Sequence, residues 1–145
     1  LVRGGDADLN RAAVETPEVD ILAHPWRERK DCGLDHVMAK LAAKNRVAVQ
    51  FDFSELLHSS KRSRVQLLAQ LMAAAELVRK YRAPFIISSG ARAPFDLRAP
   101  SDLVSFGRVL GFRDPDIKRA LSGGIVKENR KRLSGKWVMP GVEIE

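Results

Sequence analysis

The sequence predicts an α/β protein assembled from βα units. Short apolar runs alternate with amphipathic helical stretches along the chain, which is the pattern of strands and helices around a parallel sheet. The chain is 145 residues long, 45% hydrophobic and 30% charged, enough for one substantial core and too short for two. That apolar content also argues against a disordered tail. The polarity fits either a doubly wound sheet or a (β/α) barrel, and composition does not separate them. A barrel ordinarily takes about 200 residues or more, so a barrel needs further strands upstream of Leu1.

Taken in order, Leu1-Val2-Arg3-Gly4-Gly5-Asp6 reads as the end of a strand and a turn, and the opening at Leu rather than Met leads us to expect a preceding N-terminal portion. Residues 19–23 form a buried-strand candidate closed by His24-Pro25, because Pro25 cannot donate to a ladder. Residues 34–44 follow as a helix with Leu34, Val37, Met38 and Leu41 on one face and Asp35 near its start, where the macrodipole favours an acid. Residues 47–51 are the next strand, and Asp52-Phe53-Ser54-Glu55 turns into a second helical region.

Over residues 63–82, Leu67, Leu68, Leu71, Met72, Ala75 and Val78 recur at helical spacing in an Ala-rich segment that Pro84 ends. Residues 85–88 are a third strand. Ser101-Asp102 caps a helix running to Leu110, with Leu103, Val104, Phe106 and Leu110 inward and Gly111 as its stop. Asp114-Pro115 opens a short helix to Leu121, ended by Gly123-Gly124. Residues 125–133 read as a last basic helix. The chain is thus one domain over residues 1–136 with a tail over 137–145 expected as loop or terminal extension.

No segment suits a membrane. The longest strongly apolar run, residues 67–75, is broken by Gln70 and falls far short of the roughly 20 residues a span needs, and no signal peptide is present. The single cysteine, Cys32, excludes an internal disulfide framework and any multi-cysteine zinc module, so a reducing, cytoplasmic location is expected.

In parallel βα folds ligands gather at the C-terminal ends of the strands, which here carry Gly4-Gly5-Asp6, His24, Asp52 and Ser88-Ser89-Gly90. His24 and Asp52 on neighbouring strand ends are a conceivable metal pair. Only His24, His36 and His58 exist, however, and no His-x-His spacing occurs, so no metal site is expected. No G-x-S-x-G elbow surrounds Ser88 or Ser89, nothing marks Cys32 as activated, and neither glycine pair forms a dinucleotide or phosphate loop. Self-sufficient catalysis is not expected, and no catalytic residue is assigned.

The basic residues point elsewhere. The net charge is +7 with a pI near 10.0. Residues 79–136 hold fourteen basic residues against five acidic, a net of +9, while the remainder, eleven against thirteen, carries −2. Arg27, Arg29 and Lys30 follow one strand, Arg79, Lys80 and Arg82 end a helix, and Lys127, Arg130, Lys131, Arg132 and Lys136 crowd the last one. Such a concentration of cations repels itself, and binding phosphates relieves the repulsion while releasing counterions. Aromatic content is only 6%, which disfavours a stacking platform for single strands. Backbone and shape contacts with structured nucleic acid, such as folded RNA, are the expectation.

Several strings are specific. Val19-Asp20-Ile21-Leu22-Ala23-His24-Pro25, Gly33-Leu34-Asp35-His36-Val37, Ala48-Val49-Gln50-Phe51-Asp52-Phe53, Ile87-Ser88-Ser89-Gly90-Ala91 and Leu97-Arg98-Ala99-Pro100-Ser101-Asp102-Leu103 resemble, in this order, the ribonuclease P protein component 3 family. Ile117-Lys118-Arg119-Ala120-Leu121 and Ile125-Val126 extend the match over most of the chain. The resemblance implies a TIM-barrel-like fold, related to the polymerase and histidinol phosphatase domain but without its metal chemistry, with its first strands upstream of Leu1. It implies a non-catalytic, RNA-binding subunit of the archaeal type of ribonuclease P, which removes the 5′ leader from precursor tRNA. The implied partners are the ribonuclease P RNA, protein component 2 and, through the holoenzyme, precursor tRNA. The implied cofactor is magnesium held by the catalytic RNA, with none bound by the protein, and the isolated chain is expected to be inactive.

Carried over residue by residue, the resemblance makes Arg11, Arg29, His36, Lys44, Lys80, Arg98 and Lys118 RNA-contact candidates. Gln50 departs from the acidic residue expected beside Phe51-Asp52. The alternative from another class is a metal-dependent phosphoesterase on the same kind of barrel, using His24 and Asp52.

Overall fold

Four parallel strands pair in the order in which they leave the chain. The computed structural model describes residues 1–124 and, beyond them, 127, 130, 133, 137–139 and 142–143. Strand β1 (Val2–Arg3) pairs with β2 (Ile21–Ala23), β2 with β3 (Ala48–Asp52), and β3 with β4 (Phe85–Ser88). Between them lie α1 (Ala7–Glu15), α2 (His36–Asn45), α3 (Phe53–His58) and α4 (Lys61–Tyr81), and α5 (Pro100–Val109) and α6 (Asp114–Leu121) follow β4. Strand order decides what composition left open. A doubly wound sheet reverses its order at a switch point, whereas right-handed crossovers between successive neighbours place every helix on one face. This is the single winding of a TIM-barrel-like fold.

The register identifies that helical face. Leu22 pairs with Val49, Val49 with Phe85, and Phe51 with Ile87, and these side chains join Met38 and Ala42 of α2, Leu71 and Ala75 of α4, and Leu103 and Phe106 of α5 in one core. Trp26 stacks on Phe51 with centroids 5.5 Å apart, and Phe112 stacks on Phe85 at 3.9 Å. Pleating sends Ala48, Gln50 and Asp52 to the opposite face. Asp52 and its register partner Ser88 thus meet at the C-terminal edge of the sheet.

Several expectations need correction. Helix α1 was not anticipated; Asp6 caps it by accepting from the Asp8 and Leu9 amides. In α2 the buried positions are Met38, Ala39 and Ala42, with Val37 37% exposed, because small alanines let the helix approach the sheet more closely than a bulky stripe does. In α4, likewise, Gln70 and Ala74 are buried and Met72 is 47% exposed. Gln70 earns its burial by donating to the Arg29 and Asp31 carbonyls at 2.6 and 2.9 Å. Helix α5 begins at Pro100 rather than being capped by Ser101-Asp102, since proline suits the first helical position. Within the tail, β5 (Trp137–Met139) and β6 (Val142–Glu143) form an antiparallel pair. Of the expected last helix, positions 127, 130 and 133 are helical, and its other residues, with Lys131, Arg132 and Lys136, lie outside the described residues.

Candidate functional site

Three strand ends converge on one carboxylate. Beta-strand β2 stops at Ala23, and His24 takes a left-handed backbone (φ 53°) that turns its ring toward β3. With Asp52 ionised, His24 Nε2 carries the proton it donates to Asp52 Oδ2 at 2.8 Å. Gln50 Nε2 donates to both Asp52 oxygens at 2.8 and 3.0 Å, and Ser88 Oγ donates to Oδ1. Four bonds match the roughly four lone-pair sites of a carboxylate. Burial pushes the Asp52 carboxyl up, but the His24, Ser88 and Gln50 bonds outweigh it and hold it below the ordinary value.

Glu55, in the first turn of α3, accepts from Trp26 Nε1 at 3.0 Å and lies 3.9 Å from His24. Burial raises its pKa despite the opposing pull of His24 and Trp26. His24 Nδ1 is buried without a hydrogen-bond partner. The structure thus brings His24 and Asp52 together as expected, but as part of a closed network. Gln50, standing where an acid was expected, saturates the carboxylate instead of adding a ligand. Among the described residues no group of three or more His, Cys, Asp or Glu side chains is arranged to hold a metal ion.

Beside this network, Asn10 is fully buried and accepts from the Gly5 amide while donating to the Pro25 and Gly33 carbonyls at 2.8 and 3.0 Å. It ties α1 to the loops after β1 and β2. Gly4, Gly5, Asp6, Arg27, Glu28 and Arg29 line an open cavity of about 410 Å3 there, whose charges are mixed.

The seven RNA-contact candidates do not form one patch. Arg29, after β2, places Nε and Nη2 on the two Asp31 oxygens at 2.7 and 2.8 Å, which draws the Asp31 pKa down to about 2. His36 opens α2 and is exposed. Arg98 follows β4; its Nη1 donates to the Phe95 and Leu97 carbonyls at 3.0 and 2.9 Å, and its guanidinium lies 5.5 Å from the Phe53 ring centroid. These three belong to the strand C-terminal side. Lys44 and Lys80 occupy the last turns of α2 and α4, on the opposite side, and Lys118 the last turn of α6. Cations in a last turn stabilise the helix through its macrodipole, so these three have a purpose within the fold. Lys40 and Lys80 also flank the Tyr81 ring at 5.5 and 5.6 Å. Arg11 is exposed on α1 and paired with Glu15 at 2.9 Å.

Sequence reasoning missed a further set. Lys61, Arg62 and Arg64 crowd the first turn of α4, which contains no acidic residue. They lie outside the 79–136 window and run against the macrodipole; Arg64 commits Nε and Nη2 to the Ser59 carbonyl, whereas the helix gains nothing from Lys61 and Arg62. The Ser59-Ser60-Lys61-Arg62-Ser63-Arg64 string was the available signal. Next to them, His58 Nε2 meets Asp96 Oδ2 at 3.0 Å and so docks residues 91–98 on the end of α3.

Comparison with known proteins places this geometry in context. Residues 1–134 match the family model described as RNase P subunit p30. Ribonuclease P protein component 3 of Haloarcula marismortui is 42% identical over all of this chain and 62% of its own length. The protein of that name from Methanosarcina mazei is 40% identical over 99% of this chain and 60% of its own, and that from Thermococcus kodakarensis 41% identical over 83% and 54%. A chain of a cryo-EM structure of archaeal ribonuclease P with mature tRNA superposes with a TM-score of 0.86 at 34% identity, covering 98% of this chain and 62% of that one. The chain therefore spans about three fifths of the length of the relatives it matches.

Proposed function

The chain belongs to the RNase P subunit p30 family, and from that premise we propose that it acts as a non-catalytic, RNA-binding protein subunit of ribonuclease P, supporting the catalytic RNA in removing the 5′ leader of precursor tRNA. The observation that carries the reading is the match of residues 1–134 to the family model. The saturated Asp52 carboxylate supports the non-catalytic part, because a carboxylate with its lone pairs committed is poorly placed to act as base or ligand. In this account the RNA holds the magnesium ions that serve cleavage and protein component 2 is the partner subunit. The protein neutralises backbone phosphate so that the RNA folds and binds substrate at lower magnesium.

Reconstitution tests the proposal. Precursor-tRNA cleavage by the RNA and the partner subunit at limiting magnesium should rise at least several-fold when this protein is added, and the protein alone should cleave nothing. Unchanged cleavage, or hydrolysis by the protein alone, would overturn it.

A further inference from the structure

The loop after β4 displays its most apolar residues to solvent. Phe95, within a 3-10 turn (Pro94–Asp96), is 91% exposed, and Leu97, which caps the turn, is 64% exposed. An aromatic ring so exposed contributes little to the core, yet the turn beneath it is held from three sides. Arg98 binds the Phe95 and Leu97 carbonyls and rests on Phe53, His58 binds Asp96, and the Arg92 amide donates to Asp96 Oδ2 at 3.1 Å. The ring is presented on a braced platform.

Its surroundings are cationic. Arg92 is exposed three residues before Phe95. Lys61 follows the docking residue His58 by three positions, a reach of at most about 11 Å of chain, and Arg62 is exposed beside it. Asp96, the acid within the turn, is buried against His58, whose bond together with that of the Arg92 amide lowers its pKa.

An exposed aromatic among cations has the composition that binds unpaired nucleotides, the ring stacking on a base while the cations hold flanking phosphates. A protein partner drawn by Phe95 and Leu97 alone would leave Lys61 and Arg62 without counter-charge, whereas Arg92 already has Glu55 within electrostatic reach. We propose that this surface takes an unpaired RNA segment, with one base stacked on Phe95 and the adjoining phosphates on Arg92, Lys61 and Arg62. The inference rests on the RNA-binding reading and deepens it. The low overall aromatic content disfavours a platform for many bases, whereas a single stacking position needs only one well-braced ring.

The test uses the protein with two probes, a fluorescein-labelled U12 single strand and a labelled 12-base-pair RNA duplex. Base stacking is worth about 1–3 kcal/mol, so Phe95→Ala should weaken U12 binding by about 5- to 150-fold and leave duplex binding within about twofold. Phe95→Trp should restore U12 affinity, and the new indole fluorescence should be quenched by U12 and not by the duplex. Because Phe95 is 91% exposed, the melting temperature should not move. Wild-type U12 affinity in Phe95→Ala, or an equal loss on both probes, would overturn the inference. So would retention of both RNA affinities with loss of binding to the partner subunit, which would mark the loop as a protein dock. Failure of the broader reading looks different: neither probe binds and cleavage is not stimulated.

Discussion

Arg29 spends its guanidinium within its own loop, and the consequence is readable in Asp31. The bidentate pair and the Gly33 amide bound to Asp31 Oδ1 stabilise the ionised carboxylate, drawing its pKa to about 2 from an ordinary 3.8. A depressed carboxyl contributes stability above its unfolded pKa, and that contribution is lost as pH falls from about 4 through about 2. A carbon-13 titration of the Asp31 carboxyl should have its midpoint near 2, and Arg29→Ala should bring it back toward the ordinary value. An ordinary midpoint in the unmodified protein would show that the pair does not form in solution. At this scale the sequence named the right kinds of residue with unequal success. His24, Asp52 and Ser88 were legible as strand ends. That Ser88 would close the carboxylate of Asp52 was not, because its bond depends on cross-strand register, whereas Gln50, two residues before Asp52 on the same strand, reaches it within β3.

Helices α5 and α6 show how closely elements approach. Gly107 lies on the buried side of α5, and a Cβ placed there would come within 2.8 Å of both Ile117 Cγ1 on α6 and Ile87 Cδ1 on β4. Phe106 and Ile117 are buried beside it, so the contact has little room to relax. Gly107→Val should destabilise the protein by about 1–3 kcal/mol through overpacking, read as a lower urea midpoint with unchanged slope. An unchanged midpoint would mean that α5 can shift outward freely. Most helices were legible from apolar spacing and from boundary signals such as Asp114-Pro115 at the start of α6 and Gly111 just past α5. Their faces were less so, since spacing marks the bulky stripe while alanines and Gly107 decide where a helix can come nearest to the sheet.

The whole molecule distributes its cations between two sides. Lys44 and Lys80 close helices and are favoured there by the macrodipole, whereas Lys61 and Arg62 sit where it disfavours them. A polyanion supplies the compensation that the fold does not. RNA affinity should therefore fall linearly in a log-log plot against salt, and the double change Lys61→Ala with Arg62→Ala should flatten the slope by about 1.4 to 1.8. Lys44→Ala with Lys80→Ala should leave it in place; the opposite pattern would put the RNA on the other side. Across the described residues no helix is long and apolar enough to cross a membrane.

By itself the sequence determined the βα alternation, the excess of positive charge and, through its ordered strings, the family, because periodicity, net charge and motif order are properties of the chain. Only the tertiary structure decided the single winding of the sheet, the closure of Asp52 by Ser88 and His24, and the junction of His58 with residues 91–98. Each depends on which distant segments become neighbours, and local propensity carries no information about that until the strands have paired.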